Sequence, residues 1–354
     1  MSGNTDNKPK RDLFWDVVKG IGIICILLGH SCRYVSIIAF VYLFHLPLFF
    51  FVTGYLFDAE KWKGRLNEFI GSRITPIWVR FMIYGAIFVL THNFFVSRGA
   101  LAGDLYNHTA MLSNWLNYAV FATSDSLGGA LWFIPVWLFA ICIFAALKEI
   151  LKKEWLLAAS CALCAAVGLF LYSREVGIAY HLQTSFLAIG FMYLGHALRV
   201  FVKDLRKFLN PFAGLLCFAA LIVLRKTTNI TMDLSGFHIP GAWIYVISPV
   251  GIYMVLCMAK YLSRLPGASA FSFLGAHSFD IMALHFSVIK LADIVYASLF
   301  GADRSLLINF PVSYADKLWI EYLFLGLLIP AAIGVLIDRA IALFRKVQKV
   351  TCRS

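Results

Sequence analysis

Charge is what this chain has least of. Of its 354 residues, 14% are Asp, Glu, Lys or Arg, 61% are hydrophobic, and the mean hydropathy is +0.79. A soluble domain usually carries about 25% charged residues, so the polar side chains needed to cover a globule are missing and a soluble fold is excluded. Acid is scarcer than base, 19 Asp and Glu against 31 Lys and Arg, which leaves a net charge of +12. No small-residue cleavage site follows the first apolar run, so the basic segment ahead of it reads as the flank of a retained helix, not as a signal peptide. Internal repeats, low-complexity tracts and an appended soluble domain are also missing. Cys161 and Cys164 have redox or metal spacing but lie inside an apolar run without partners. The eight cysteines are therefore taken as small hydrophobes, and no metal is expected.

What is present is apolar length. A helix needs about 17 to 25 apolar residues to cross the hydrocarbon core. Ten such runs lie near 15–32, 37–57, 69–93, 131–147, 155–172, 180–201, 210–224, 241–261, 269–299 and 318–344. The expectation is an all-α, polytopic membrane helix bundle of about ten transmembrane helices. With a cytoplasmic N-terminus, the inside segments carry 21 of the cations, among them Lys8, Lys61, Arg73, Lys148 and Arg206, and the outside segments carry seven. That alternating bias places both termini in the cytoplasm. It also assigns the net charge to topology and contact with membrane lipids, with no nucleic-acid partner. Residues 1–10 are expected to be a disordered cytoplasmic N-terminus, 11–346 the membrane domain and 347–354 a cytoplasmic tail.

Ionisable groups at membrane depth are functional by default. His30 ends the first run, and His45 with Pro47 lies in the second, where the proline is expected to bend the helix. For His30 the bland alternative is a core histidine bonded to neighbouring backbone, and His45 is read as orienting or supporting the reactive group. Asp16 and Lys19, at i,i+3, form either a helix ion pair or part of a cytoplasmic entrance. Asp16 and His30 stand about 21 Å apart along the helix, at opposite faces of the membrane. Arg73 and Arg80 share nearly one face of the third run, about 10 Å apart. Arg73 can snorkel, whereas the deeper Arg80 needs an anion or a water-filled cavity. Guanidinium forks suit phosphates, which points to a vestibule for a phosphorylated cofactor.

Further along, residues 94–130 are expected to be the longest outside loop, and a loop of that length is more often functional or mobile than a mere connector. Trp132 opens the fourth run as an interfacial anchor or a site residue, while His181 and His196 are taken as structural. In the ninth run His277, Asp280 and His285 occupy an arc of about 140° turned toward the bundle. Lys290 and Asp293 lie on the other side and can form a structural bridge. Glu321 could touch an external substrate or pair with Lys317.

Asp16 with Lys19-Gly20, Gly29-His30, Phe44-His45-Leu46-Pro47-Leu48-Phe49-Phe50-Phe51 and Gly54-Tyr55 resemble the integral-membrane acyltransferase-3 family, which includes O-acetyltransferases of sugars and polysaccharides. Arg73 with Pro76, Leu131-Trp132-Phe133, and Gly275 with Ser278 through His285 resemble its later motifs. This chain has His277 where many members have Asn, and Met282 near a usual Tyr. The resemblance implies acyl transfer, most simply of acetyl, from cytoplasmic acetyl-CoA to a hydroxyl of an extracytoplasmic glycan or lipid-linked sugar. On that analogy His30 is the catalytic histidine. His45, Trp132, His285 and Glu321 would support catalysis or bind the acceptor. Arg11, Asp16, Lys19, Arg73 and Arg80 would serve the CoA side.

The chemistry agrees, since a neutral imidazole with an ordinary pKa of about 6.5 can take a hydroxyl proton near neutral pH. A covalent acyl-histidine is the alternative course. Two rival functions stay open: a succinyltransferase of the same fold, and a transporter or flippase for a glycan or anionic substrate. The inner (plasma) membrane is the expected location, and homo-oligomerisation is left open.

Overall fold

The computed structural model describes residues 12–122, 126–228 and 230–351. Among these no strand forms, and ten helical segments are long and apolar enough to cross a membrane, matching the ten runs of the sequence. The chain is an all-α polytopic bundle. Arg11 and the segment 1–10 lie outside the described residues.

Helix α1 (Leu13–Ser31) starts where the Asp12 carboxylate accepts the Phe14 amide at 3.0 Å. It is the central post of the bundle, with most of its residues buried. The second span is two helices, α2 (Val35–Tyr42) and α3 (His45–Leu56). The break falls at Leu43 and Phe44, ahead of the proline expected to cause it. Pro47 sits in the first turn of α3, where an amide would find no partner within the helix anyway. The Leu43 carbonyl instead accepts the Ser248 hydroxyl at 2.8 Å.

Two short helices, α4 (Ala59–Trp62) and α5 (Leu66–Phe69), lead through a π-helical turn (Ile70–Ile74) into α6 (Thr75–Ser97). Residues 94–130 do not form a free loop. Within them α7 (His108–Ala119) runs back along α6. Trp115 Nε1 donates to the Met82 carbonyl at 3.1 Å and Trp78 Nε1 to the Ala119 carbonyl at 3.0 Å. Tyr118 is fully buried against Gly85. The apolar face of α7 has its partner in α6, which the composition of the segment did not signal.

A 3-10 turn (Ser126–Trp132) opens α8 (Phe133–Ile150), followed by α9 (Glu154–Ser173), α10 (Leu182–Phe201), α11 (Pro211–Thr228) and α12 (Ile244–Leu262). The ninth run is again two helices. Helix α13 (Ala268–Ala276) lies against α1, the chain turns at His277, and α14 (Ser278–Phe300) makes the crossing. Backbone contact fixes α13 to α1. A Cβ on Gly275 would stand 1.9 Å from the Asp16 carbonyl oxygen, and one on Gly20 would stand 2.1 Å from that of Phe271. Small residues at helix crossings allow such close packing in membranes.

Helix α14 ends at Gly301, with a left-handed φ of 61°. Helix α15 (Ala315–Thr351) returns alongside it. Lys290 and Asp293 pair at 3.1 Å without exposure. The ammonium also donates to the Leu307 and Asn309 carbonyls and the Ser313 hydroxyl. Every ammonium proton is thereby used, and the pair is a structural bridge that joins α14 to the turn before α15.

Candidate active site

The break between α2 and α3 and the end of α1 meet at one place. The His30 ring, half-buried, is 5.3 Å from that of His285 with planes 30° apart, 5.0 Å from Phe286 and 6.3 Å from Tyr42. Tyr42 is in turn 4.8 Å from His45. Gly29 makes room for this grouping, because a Cβ there would stand 2.7 Å from the Tyr42 ring. Three histidines from α1, α3 and α14, distant in the sequence, thus surround Tyr42 and Phe286.

Their hydrogen bonds set their tautomers. His45 Nδ1 is 2.8 Å from the Val41 carbonyl; His285 Nδ1 is 2.8 Å from that of Met282 and 3.1 Å from that of Ile281. A carbonyl only accepts, so Nδ1 carries the hydrogen in both rings, and the neutral ring keeps its lone pair on Nε2. His285 Nε2 is buried with no partner among the described residues. His30 hydrogen-bonds to none of them.

Below this group lies a cavity of about 310 Å³, within the range of small-molecule sites. From α1 it is lined by Lys19, Ile23 and Ile26. Steps of four and three residues form one stripe of a helix, and the next position on that stripe is His30. Phe49, Ile77, Phe133, Trp137 and Met282 are half of the remaining lining residues. Thr53 is occupied, taking the Trp137 indole N–H at 2.7 Å and donating to the Phe49 carbonyl at 2.8 Å. The cavity is therefore mainly apolar, with Ser278 as a further hydroxyl in its wall and the charge of Lys19 at one end. Lys19 lies there, 2.8 Å from Asp16 in the ion pair that the spacing suggested. Exposed Arg73 stands one turn before Ile77, its guanidinium 6.0 Å from the Trp62 ring.

Arg80 is placed differently from a phosphate ligand. Nη1 donates to Asp280 at 3.0 Å and Nη2 to Asp338. Asp280, fully buried, also accepts the Tyr84 hydroxyl and lies 2.9 Å from His277 Nδ1. The anion that a deep arginine requires comes from the protein itself. Trp132 packs 5.2 Å from His181, beside the cavity residue Phe133 and not against His30. Glu321 is exposed on α15 and makes no ion pair with a described residue, Lys317 included.

Sequence reasoning missed Tyr42, Phe286 and the segment around Asp233. Asp233 and His238 exchange backbone hydrogen bonds of 2.6 and 3.0 Å, and the buried Met232 and Leu234 anchor this hairpin. Met232 Sδ is 4.0 Å from the Ser248 hydroxyl that holds Leu43, which puts Asp233 beside the break next to His45. No apolar run marks the segment; the turn residues Asp233, Ser235 and Gly236 were its available signal.

No solved structure matches the chain. Over 127 residues it is 28% identical to nodulation protein NolL of Sinorhizobium fredii (strain NBRC 101917 / NGR234). That match covers 32% of this chain and 35% of the relative, so it spans about a third of each. The profile of the family described as an acyltransferase domain matches residues 12–339, from the cap of α1 into the last helix. The chain belongs to the acyltransferase-3 family, and its described residues carry ten helices long and apolar enough to cross a membrane.

Proposed function

We propose that this protein moves an acetyl group from cytoplasmic acetyl-CoA to a hydroxyl of an extracytoplasmic glycan or lipid-linked sugar, with His30 as general base. The observation that carries the reading is the stripe Lys19, Ile23, Ile26, His30, along which a narrow apolar cavity ends one turn short of the histidine. Phosphates of the donor are held at the cationic end by Lys19 and Arg73, with Arg11 as a further candidate from the sequence. The slender pantetheine arm lies along the apolar wall and brings the thioester toward His30. Arg80, already between two carboxylates, supports that wall and does not bind donor.

In the reaction the lone pair of His30 takes the acceptor's hydroxyl proton, and the oxygen attacks the thioester carbonyl. The C–S bond breaks, and the departing thiolate takes the proton back from the imidazolium. Acetyl is favoured over succinyl because the cavity has its cation at the Lys19 end only, leaving a second carboxylate near His30 without a partner. On this reading both termini face the cytoplasm, and the membrane is the inner (plasma) membrane. Tyr42, His45 and the Asp233 hairpin would receive the acceptor.

The full-length protein in nanodiscs, given labelled acetyl-CoA and a panel of glycans, tests the reading. Label is expected on the glycan, with free CoA released, and His30→Ala should lower transfer at least 10²-fold, the scale of general-base loss. Equal transfer by wild type and His30→Ala would remove the base.

A further inference from the structure

One buried polar atom next to His30 has no partner among the described residues: Nε2 of His285, on a ring without exposed surface. An unsatisfied buried acceptor costs stability, and its persistence at a site needs an explanation. The opposite edge of the ring is fixed. Nδ1–H is shared between the Met282 and Ile281 carbonyls at 2.8 and 3.1 Å, so the lone pair of the neutral ring stays on Nε2. The neighbouring imidazole, His30, has the complementary need: one of its nitrogens carries a hydrogen, and it bonds to no described residue. The ring centroids are 5.3 Å apart with planes at 30°, a stacked approach from which the rings must reorient to make N–H···N contact. Catalytic hydrogen bonds commonly tighten only when substrate is bound.

We infer that His285 is a positioning residue acting through His30: its protonless Nε2 accepts the His30 N–H and leaves the other nitrogen of His30 with its lone pair toward the acceptor hydroxyl. The inference rests on the acyl-transfer reading above. It gives an imidazole lone pair, itself held by backbone carbonyls, the orienting task that a carboxylate performs behind the histidine of a hydrolase triad. Protons balance within the pair. The hydroxyl proton goes to the free nitrogen of His30, the hydrogen toward His285 stays where it is, and the imidazolium loses the acquired proton to the thiolate. Phe286, 5.0 Å from His30 and 4.1 Å from His285, keeps the apolar side of the pair closed.

Two variants separate positioning from packing. His285→Asn keeps an N–H near Nδ1 for the carbonyls but has no group where Nε2 was, whereas His285→Gln places an amide oxygen there. The full chain in nanodiscs is assayed for kcat and KM with acetyl-CoA, and its histidine ring nitrogens are followed by ¹⁵N NMR, with His30 assigned through His30→Gln. His285→Asn is expected to lower kcat about 10²-fold at unchanged KM for acetyl-CoA, and His285→Gln to restore at least tenfold of that. The His30 ring should be a single tautomer in wild type and a mixture in His285→Asn. Equal kcat in the two variants, or an unchanged His30 spectrum in His285→Asn, overturns the inference. Should wild type consume no acetyl-CoA, the acyl-transfer reading falls, and the spectra still decide whether His285 orients His30.

Discussion

Arg80 on α6 donates to Asp280 on α14 across 3.0 Å, and Asp280 is wholly withdrawn from the surface. Asp338 on α15 takes the other arm of the guanidinium, while His277 and Tyr84 complete the shell of Asp280. Five charged or polar groups, from α6, α14, α15 and the turn at His277, therefore meet where the chain turns between α13 and α14.

Removing one member of such a network strands the rest. Arg80→Ala leaves a buried carboxylate with only a hydroxyl and an imidazole, and loss of one partner of a buried pair costs about 3–5 kcal/mol. A clear fall in the thermal midpoint of the purified protein is expected. The KM for acetyl-CoA of the folded fraction should stay within about twofold of wild type, since each tenfold corresponds to about 1.4 kcal/mol of binding. A raised KM at an unmoved midpoint would return Arg80 to the donor's phosphates.

Lys19 and Arg73 are expected to act on donor binding. Arg73 is exposed, so its truncation strands no charge, whereas Lys19→Ala also takes the 2.8 Å ion pair from the buried Asp16 and should lower the midpoint as well. Loss of a hydrogen bond to a charged group is worth about 1.5–3 kcal/mol, so Lys19→Ala or Arg73→Ala should raise the KM for acetyl-CoA about tenfold or more. Acetyl-pantetheine, which has no phosphates, supplies the control. Its turnover should be indifferent to both substitutions, and an equal loss with it would place the two cations elsewhere in the mechanism.

The ten crossings were legible because hydropathy over a span-length window is a summed property, insensitive to any single residue. Breaks inside spans are not. Leu43 and Phe44 interrupt an apolar run containing no glycine there, and a hydroxyl from residue 248 satisfies the carbonyl. His277 gave no sign of a turn, because its partner Asp280 lies within the same apparent helix. Arg80 showed a need for an anion, but its acids stand 200 and 258 residues away, beyond any local pattern. His30, His45 and His285 were visible as costly groups at membrane depth. Their meeting around Tyr42 was not, since it follows from how α1, α3 and α14 pack.

The crossing of α1 with α13 is a second place where a single atom matters. A methyl on Gly275 would stand 1.9 Å from the Asp16 carbonyl oxygen, with backbone on both sides that cannot step aside. Overpacking of this kind costs about 1–3 kcal/mol, and it would also push α1 off the wall of the cavity. Gly275→Ala is expected to lower the thermal midpoint and the activity together. Gly71→Ala, where the added methyl meets nothing within 4 Å, should leave the midpoint unchanged. Equal midpoints for the two variants would mean that α13 is free to shift.

Met282 joins both halves of the proposed chemistry. Its side chain lines the cavity, and its carbonyl accepts from His285 Nδ1 at 2.8 Å. A substitution that changes only the side chain should therefore alter the space for the acyl group without freeing the histidine. Met282→Ala enlarges the cavity near Ile26, and a single methylene in an apolar pocket is worth about 1–3 kcal/mol of discrimination. The ratio of kcat/KM for acetyl-CoA to that for butyryl-CoA should fall about tenfold or more in Met282→Ala. In Met282→Trp, which fills the same space, turnover of both donors should drop while the protein stays folded. Competition between the two donors in one reaction, read by mass spectrometry of the product, measures the ratio directly. A ratio unmoved by Met282→Ala would mean that the acyl group never occupies this cavity, and the route from Lys19 to His30 would then have to lie on another face of α1.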